Sequence, residues 1–325
     1  MTAASQVTHV ELERAWRALS TGAFRDPGTV LDPGTVLDPG AVLDPNGGGD
    51  EPLAAAGFTG PVVVVAGCHG WAGTSTAALI LAEAYARRGS QVRILDAASA
   101  SRSGYSAAAA TEHGLDPSGR WRCGSRGPVA VHRIAHPLAG VVDVPAPPVV
   151  GEDTVTVVDA GWPIADLLAG RRTHWLPRLL AYAPLLLTAR PSVPGLRHAD
   201  VTLEAFEAVS ATSRSTQPLL LLLGARRGWL RRTSAASLLT AERQERVHLV
   251  PEHRHMAAAG LTPTPLPRQL HPVGDRLAEL TSPTSPTAPM SPTAANTPTS
   301  GTAADRAPAP PHDLHDLIYR KDSPS

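Results

Sequence analysis

Between an apolar, β-branched run at Val62 to Val65 and an alanine- and leucine-rich stretch at Ala77 to Arg88 lies Ala66-Gly67-Cys68-His69-Gly70-Trp71-Ala72-Gly73-Thr74-Ser75-Thr76. Three glycines followed by three hydroxyl residues, just ahead of a helix, suit anion binding. The first amides of a helix have no internal partner and carry partial positive charge, so they attract negative groups without help from side chains. Two aspartates follow at the ends of apolar runs, Asp96 after Val92 to Leu95 and Asp159 after Val155 to Val158. Each feature also has a plainer reading. The loop can be an ordinary strand-to-helix turn with Thr74 or Ser75 as N-cap, and an isolated aspartate more often starts a turn than serves a site.

The elements that would position these residues alternate. Val62 to Val65, the helix Ala77 to Arg88 and Val92 to Leu95 form a βαβ start. Strands are expected again at Val155 to Val158, Leu185 to Thr188, Leu219 to Leu223 and Val247 to Val250, with helices at Leu196 to Val209 and Pro272 to Leu280. Continuous apolar strands alternating with helices specify an α/β fold, a parallel sheet with helices on both faces, in which ligands sit at the carboxyl ends of the strands. The path of 102 to 150 is open, with only Val129 to Ile134 reading as strand.

The loop and its surroundings resemble the ParA/MinD partition and positioning ATPases, whose P-loop reads K-G-G-x-G-K-T-T. The resemblance spans about Gly60 to Leu280. It aligns Gly70 and Gly73 with two loop glycines, Ser75 with the Mg²⁺-binding hydroxyl, Thr76 with the threonine after it, and Asp159 with the Walker B carboxylate. Asp96 falls on the first acid of the family's Asp-x-Asp pair, and Pro251 on the loop beside the base. The resemblance therefore implies nucleotide contacts from Gly70, Gly73, Thr74, Ser75, Thr76, Asp96 and Pro251, and a Mg²⁺ site at Ser75 and Asp159. Several positions depart from the pattern. His69 stands for the signature lysine, Trp71 for a glycine, Thr74 for the lysine that neutralises phosphate, and Ala98 for the second acid. The chain's single lysine is Lys321. Loss of lysine with a Gly73-Thr-Ser-Thr76 ending is similar to the CpaE/TadZ branch. The expected function is thus a positioning or partition-type protein of a plasmid partition, conjugation or secretion apparatus, with weak or no use of ATP and Mg²⁺ and without efficient hydrolysis. An active ATPase of the same family and a DNA-binding accessory protein are the alternatives.

Arg226, Arg227, Arg231 and Arg232 bracket Trp229, a patch suited to the phosphates of nonspecific DNA or to an acidic partner, or simply to solvation. Residues 61 to 280 carry 23 basic against 17 acidic side chains, within a chain of zero formal charge. No helix-turn-helix or aromatic RNA-binding signature and no nucleophile motif of the Gly-x-Ser-x-Gly kind is present. Cys68 and Cys123 lack metal or disulfide spacing, which suits a reducing cytoplasm. His253 and His255 form an isolated His-x-His pair without carboxylates, read as ordinary exposed histidines.

The fully apolar run Leu219 to Leu223 is far short of a membrane span. Residues 1 to 57, with three Asp-Pro-Gly-(Thr/Ala)-Val-Leu units from Asp26, and the Pro/Thr/Ser-rich 282 to 325 are expected to be disordered segments flanking a folded domain at 58 to 281. They are the natural places for an unidentified protein partner to engage, and a homodimer is compatible with the resemblance.

Overall fold

The computed structural model describes residues 58–169, 174–210, 217–224 and 235–282. The expected segments at 1 to 57 and beyond 282, and the arginine patch, lie outside these residues or almost so, Ser282 being the last described. The described chain builds one nine-stranded sheet ordered β3-β4-β5-β2-β6-β1-β7-β8-β9. The strands are β1 (Val62–Gly67), β2 (Gln91–Asp96), β3 (Thr111–Leu115), β4 (Trp121–Arg126), β5 (Val129–Ile134), β6 (Thr154–Pro163), β7 (Leu185–Ala189), β8 (Leu219–Leu223) and β9 (Val247–Val250). Six pairings, from β5 through to β9, are parallel.

The central strands β1, β7 and β8 are apolar at nearly every position because both faces are covered. In β1, Val62, Val64 and Ala66 face one core while Val63 and Val65 face the other. The second of these cores is closed by α1 (Thr74–Arg87) and α7 (His271–Thr281), through residues such as Leu79, Leu81 and Leu277. The first is closed by α2 (Ile164–Leu168), α3 (Trp175–Tyr182), α4 (Val193–Ser210) and α5 (Ala236–Arg243). Helix α4 starts three residues ahead of the expected Leu196, with Pro194 in its first turn, where a missing N–H costs nothing. A short α6 (Arg254–Ala259) follows β9.

The sheet is mixed rather than wholly parallel, since the open stretch after Arg102 folds into an antiparallel meander, β3-β4-β5. Two turns set it. The Asp116 carboxylate accepts from the Arg120 and Trp121 amides and the Ser118 hydroxyl, and the two residues Gly127-Pro128 join β4 to β5. Burial anchors the meander to the body. Trp121 is 1% exposed and its indole N–H donates to Ala146 O at 3.0 Å. Arg126, also buried, pairs with Glu83 of α1 at 3.1 Å and donates to the carbonyls of Thr262 and Thr264.

Trp121→Ala would leave a large cavity where the meander meets the core and is expected to cost about 3–5 kcal/mol. Denaturant unfolding measures this, and a loss below about 1 kcal/mol would mean that the meander is peripheral to stability.

Candidate functional site

At the carboxyl end of β1 the chain leaves the sheet through the glycine-rich loop, with the Cys68 amide still donating to Thr188 O of β7 at 2.9 Å. Gly73 is the N-cap of α1. It adopts φ +91°, and a Cβ there would come within 2.5 Å of Leu223 at the end of β8, so both backbone and space call for glycine. No side chain caps α1 and no acid occupies its first turn, so its first amides face the site without a competing partner. Trp71 holds φ +63°, the backbone region that a loop glycine would enter freely, and its side chain is 97% exposed. The indole is turned outward, and the loop path survives at a cost of about 1–2 kcal/mol of backbone strain. His69 braces the loop from the other side. Its Nε2 accepts from the Arg190 amide at 3.2 Å, which leaves Nδ1 to donate to Gly70 O at 2.7 Å. Thr74 puts its hydroxyl 3.1 Å from that of Thr188.

Asp96 and Asp159 lie opposite each other on the paired strands β2 and β6, both buried. Strand β6 runs on past Asp159 to Pro163 through an irregularity in its pairing with β1, so the aspartate sits inside a strand rather than at its end. Asp96 is fully partnered. Its Oδ1 accepts from the Ala98 amide at 3.0 Å and its Oδ2 from the Ser103 hydroxyl at 2.5 Å. In Asp159, Oδ1 accepts from the Gly161 amide at 3.2 Å, while Oδ2 is buried with no partner. Burial pushes Asp96 up to about 8, aided by the Asp159 charge and opposed by the Ser103 hydroxyl and the Ala98 amide. Burial likewise raises Asp159 to about 6, and the approaching Ser75 hydroxyl pulls it back. The two therefore titrate as a pair that retains a proton above the usual carboxylate range.

The segment from Ser99 to Tyr105 closes over this pair. Gly104 packs so tightly on Ser75 that a Cβ would fall 2.4 Å from its Oγ. The Tyr105 hydroxyl, fully buried, donates to Ser75 O at 2.9 Å. Trp162 donates its indole N–H to Ala97 O at 3.0 Å, and Arg102 lies over the Trp162 ring at 4.1 Å.

These elements surround a cavity of about 610 Å³, the size of a small-ligand site. Gly70, Gly73, Thr74, Ser75, Thr76, Asp159 and Pro251 all line it; Asp96 does not, being enclosed behind Ala98 and Ser103. For a hard divalent cation the donor chemistry fits. An orphaned buried carboxylate oxygen of Asp159 beside the Ser75 hydroxyl gives oxygen donors only, and a bound polyphosphate and water would have to complete the shell. Among the described residues no group of three or more His, Cys, Asp or Glu could hold a metal. His253 accepts from the Met256 amide as the N-cap of α6, so the His-x-His pair has a structural use. Cys68 and Cys123 are free thiols, and burial pushes Cys68 up to about 12. No helix among the described residues is long and apolar enough to cross a membrane. Sequence reasoning missed Arg102, Ser103, Tyr105, Trp162 and the Arg190–His69 contact. The signal available was the hydroxyl-rich Ser99-Ala-Ser-Arg-Ser103 directly after a buried aspartate that needed partners.

No protein-family model matches the chain, and no curated protein matches it. Similar solved structures include the MinD cell division protein of Aquifex aeolicus, at 14% identity and TM-score 0.43, covering 67% of this chain and 97% of that one. An ATP complex of a Cyanothece McdA variant is similar at 15% and 0.41, over 69% and 96%. A plasmid partition protein of Borrelia burgdorferi follows at 11% and 0.40, over 60% and 91%. The mostly parallel sheet with helices on both faces, and the glycine-containing loop between β1 and α1, are the α/β architecture that the sequence pattern led one to expect. Activities and partners named for those proteins are theirs.

The raised carboxylate pair has a consequence for stability. As pH climbs from the ordinary carboxylate range toward about 8, the unfolded chain has released protons that the native pair still holds, so stability falls across that window. Buried His132, pushed down to about 4 from its ordinary 6.5, acts in the opposite sense between those values. Asp96→Asn keeps the hydrogen-bonding shape and removes the charge. It is expected to flatten the decline in unfolding free energy between about pH 5 and pH 8, measured by urea titration; an unchanged slope would contradict the pairing.

Proposed function

We propose that the chain is a ParA/MinD-like positioning or partition-type protein that binds a nucleotide in this cavity and hydrolyses it negligibly. It would serve a plasmid partition, conjugation or secretion apparatus, engaging a protein partner through its terminal segments. The observation that carries this reading is the selective loss within an intact frame. Thr74 occupies the lysine position, offers no charge and turns its hydroxyl to Thr188. Ala98 occupies the second acid position and contributes only an amide, already given to Asp96. The cavity, the uncapped amides of α1 and the orphaned Asp159 oxygen all remain.

Binding and turnover separate on these grounds. Amides at a helix N-terminus attract phosphate in any charge state of the side chains around them. Hydrolysis needs more: positive charge where the β–γ bridge breaks and a group that positions the attacking water. A magnesium ion, when bound, would neutralise phosphate charge, held by Ser75 and Asp159. The chain's own groups then leave the water without a carboxylate partner at position 98. Pro251, following β9, would flank the base, and Asp96 would act by holding Ala98 and Ser103 in place.

Calorimetric titration with ATP and magnesium, paired with a phosphate-release assay, tests the reading. Binding is expected, with turnover indistinguishable from that of Asp159→Ala. Brisk turnover abolished by Asp159→Ala, or no binding at all, would overturn it.

A further inference from the structure

We infer that Arg102 and Arg190, from opposite walls of the cavity, hold the polyphosphate of the bound nucleotide in place of the missing loop lysine. This deepens the nucleotide-binding reading and rests on it. A polyphosphate brings several negative charges, whereas a helix N-terminus offers about half a positive one, and Asp159 and Glu252 add negative charge to the same walls. The chain's single lysine, Lys321, lies far along the sequence from the loop. Beyond what a bound magnesium ion would neutralise, the fixed positive charge that the chain's own side chains can bring to these walls falls to arginine.

Most described arginines near carboxylates are committed. Arg126 pairs with Glu83, Arg133 with Glu112 and Arg246 with Glu207. Arg102 and Arg190 line the cavity, are exposed, and have no carboxylate partner among the described residues. Both are nonetheless held in position by their backbones. Arg102 rides on the segment fixed at Asp96 by Ser103 and at Ser75 by Tyr105, and its amide donates to Ser99 O at 2.7 Å. Its guanidinium rests on the ring of Trp162, an arrangement that keeps the charge at the cavity wall without spending its N–H donors on another acceptor. Arg190 is fixed from the far side, its amide on His69 Nε2, while its guanidinium reaches Leu223 O only at 3.5 Å. His69, which stands at the position of the signature lysine, thereby positions Arg190. Guanidinium suits the task, because its planar fork matches paired phosphate oxygens.

The test is binding of inorganic tripolyphosphate, pyrophosphate and ATP to the full chain and to Arg102→Ala, Arg190→Ala, Arg102→Lys and Arg190→Lys. Thermal unfolding confirms that each variant is folded. Each alanine variant is expected to weaken tripolyphosphate about tenfold and to make its salt dependence shallower, while the lysine variants, which keep the charge but lose the fork, keep the salt dependence and fall between wild type and alanine in affinity. Tripolyphosphate is also expected to bind more tightly than pyrophosphate, a difference that shrinks in the alanine variants. Unchanged affinity and salt dependence in both alanine variants, with ATP still bound, would overturn the arginine assignment and leave the nucleotide reading standing. Arginine-dependent tripolyphosphate binding without any ATP binding would do the reverse, and no binding of either probe would overturn both.

Discussion

The uncapped first turn of α1 is the constraint on which the rest of the site depends. Gly73 gives no side chain to the first amides, no acid belongs to the first turn, and Leu223 packs against the position where a Cβ would be. Backbone geometry therefore leaves these amides without a competing side-chain partner. Everything that surrounds the loop can be read as adjustment to that fact. His69 and Thr74 tie the loop by hydrogen bonds to Arg190 and Thr188, just past and near the end of β7, and Trp71 follows a glycine-like path with its ring in solvent.

Behind the loop, the two buried carboxylates behave differently because their partners differ. Asp96 is saturated by an amide and a hydroxyl and serves as a fastening point for the segment that carries Arg102. Asp159 retains one unsatisfied oxygen, the kind of group a native structure rarely leaves buried without a purpose. The two aspartates that follow apolar runs in the sequence thus differ, Asp96 being spent on internal hydrogen bonds and Asp159 lining the cavity. Tyr105 and Gly104, seated on Ser75, connect the two.

Much of this was legible beforehand. The strands around the loop and the helix after it follow from hydrophobic runs, since buried parallel strands announce themselves by unbroken apolar residues; Ser75, Asp159 and Pro251 were implied by the resemblance, and all three line one cavity. Asp96 was legible as a residue but not in its role, because only its neighbours in space reveal that it is enclosed. The meander was hidden for a physical reason. β3, Thr111–Leu115, is an exposed edge strand with no apolar pattern, and β4 buries Trp121 and Arg126 among small and charged residues. The segment from Ser99 to Tyr105 has no periodicity at all; its course is set by hydrogen bonds to Asp96 and Ser75, groups far away in sequence or buried from view.

The central claim is that a loop without lysine binds nucleotide through its backbone amides. Amide hydrogen exchange with and without ATP and magnesium measures those groups directly. The account predicts slowed exchange at Gly70 to Thr76, together with the neighbouring stretch from Arg102 to Tyr105. Unaltered exchange at Gly70 to Thr76 under saturating nucleotide would contradict it.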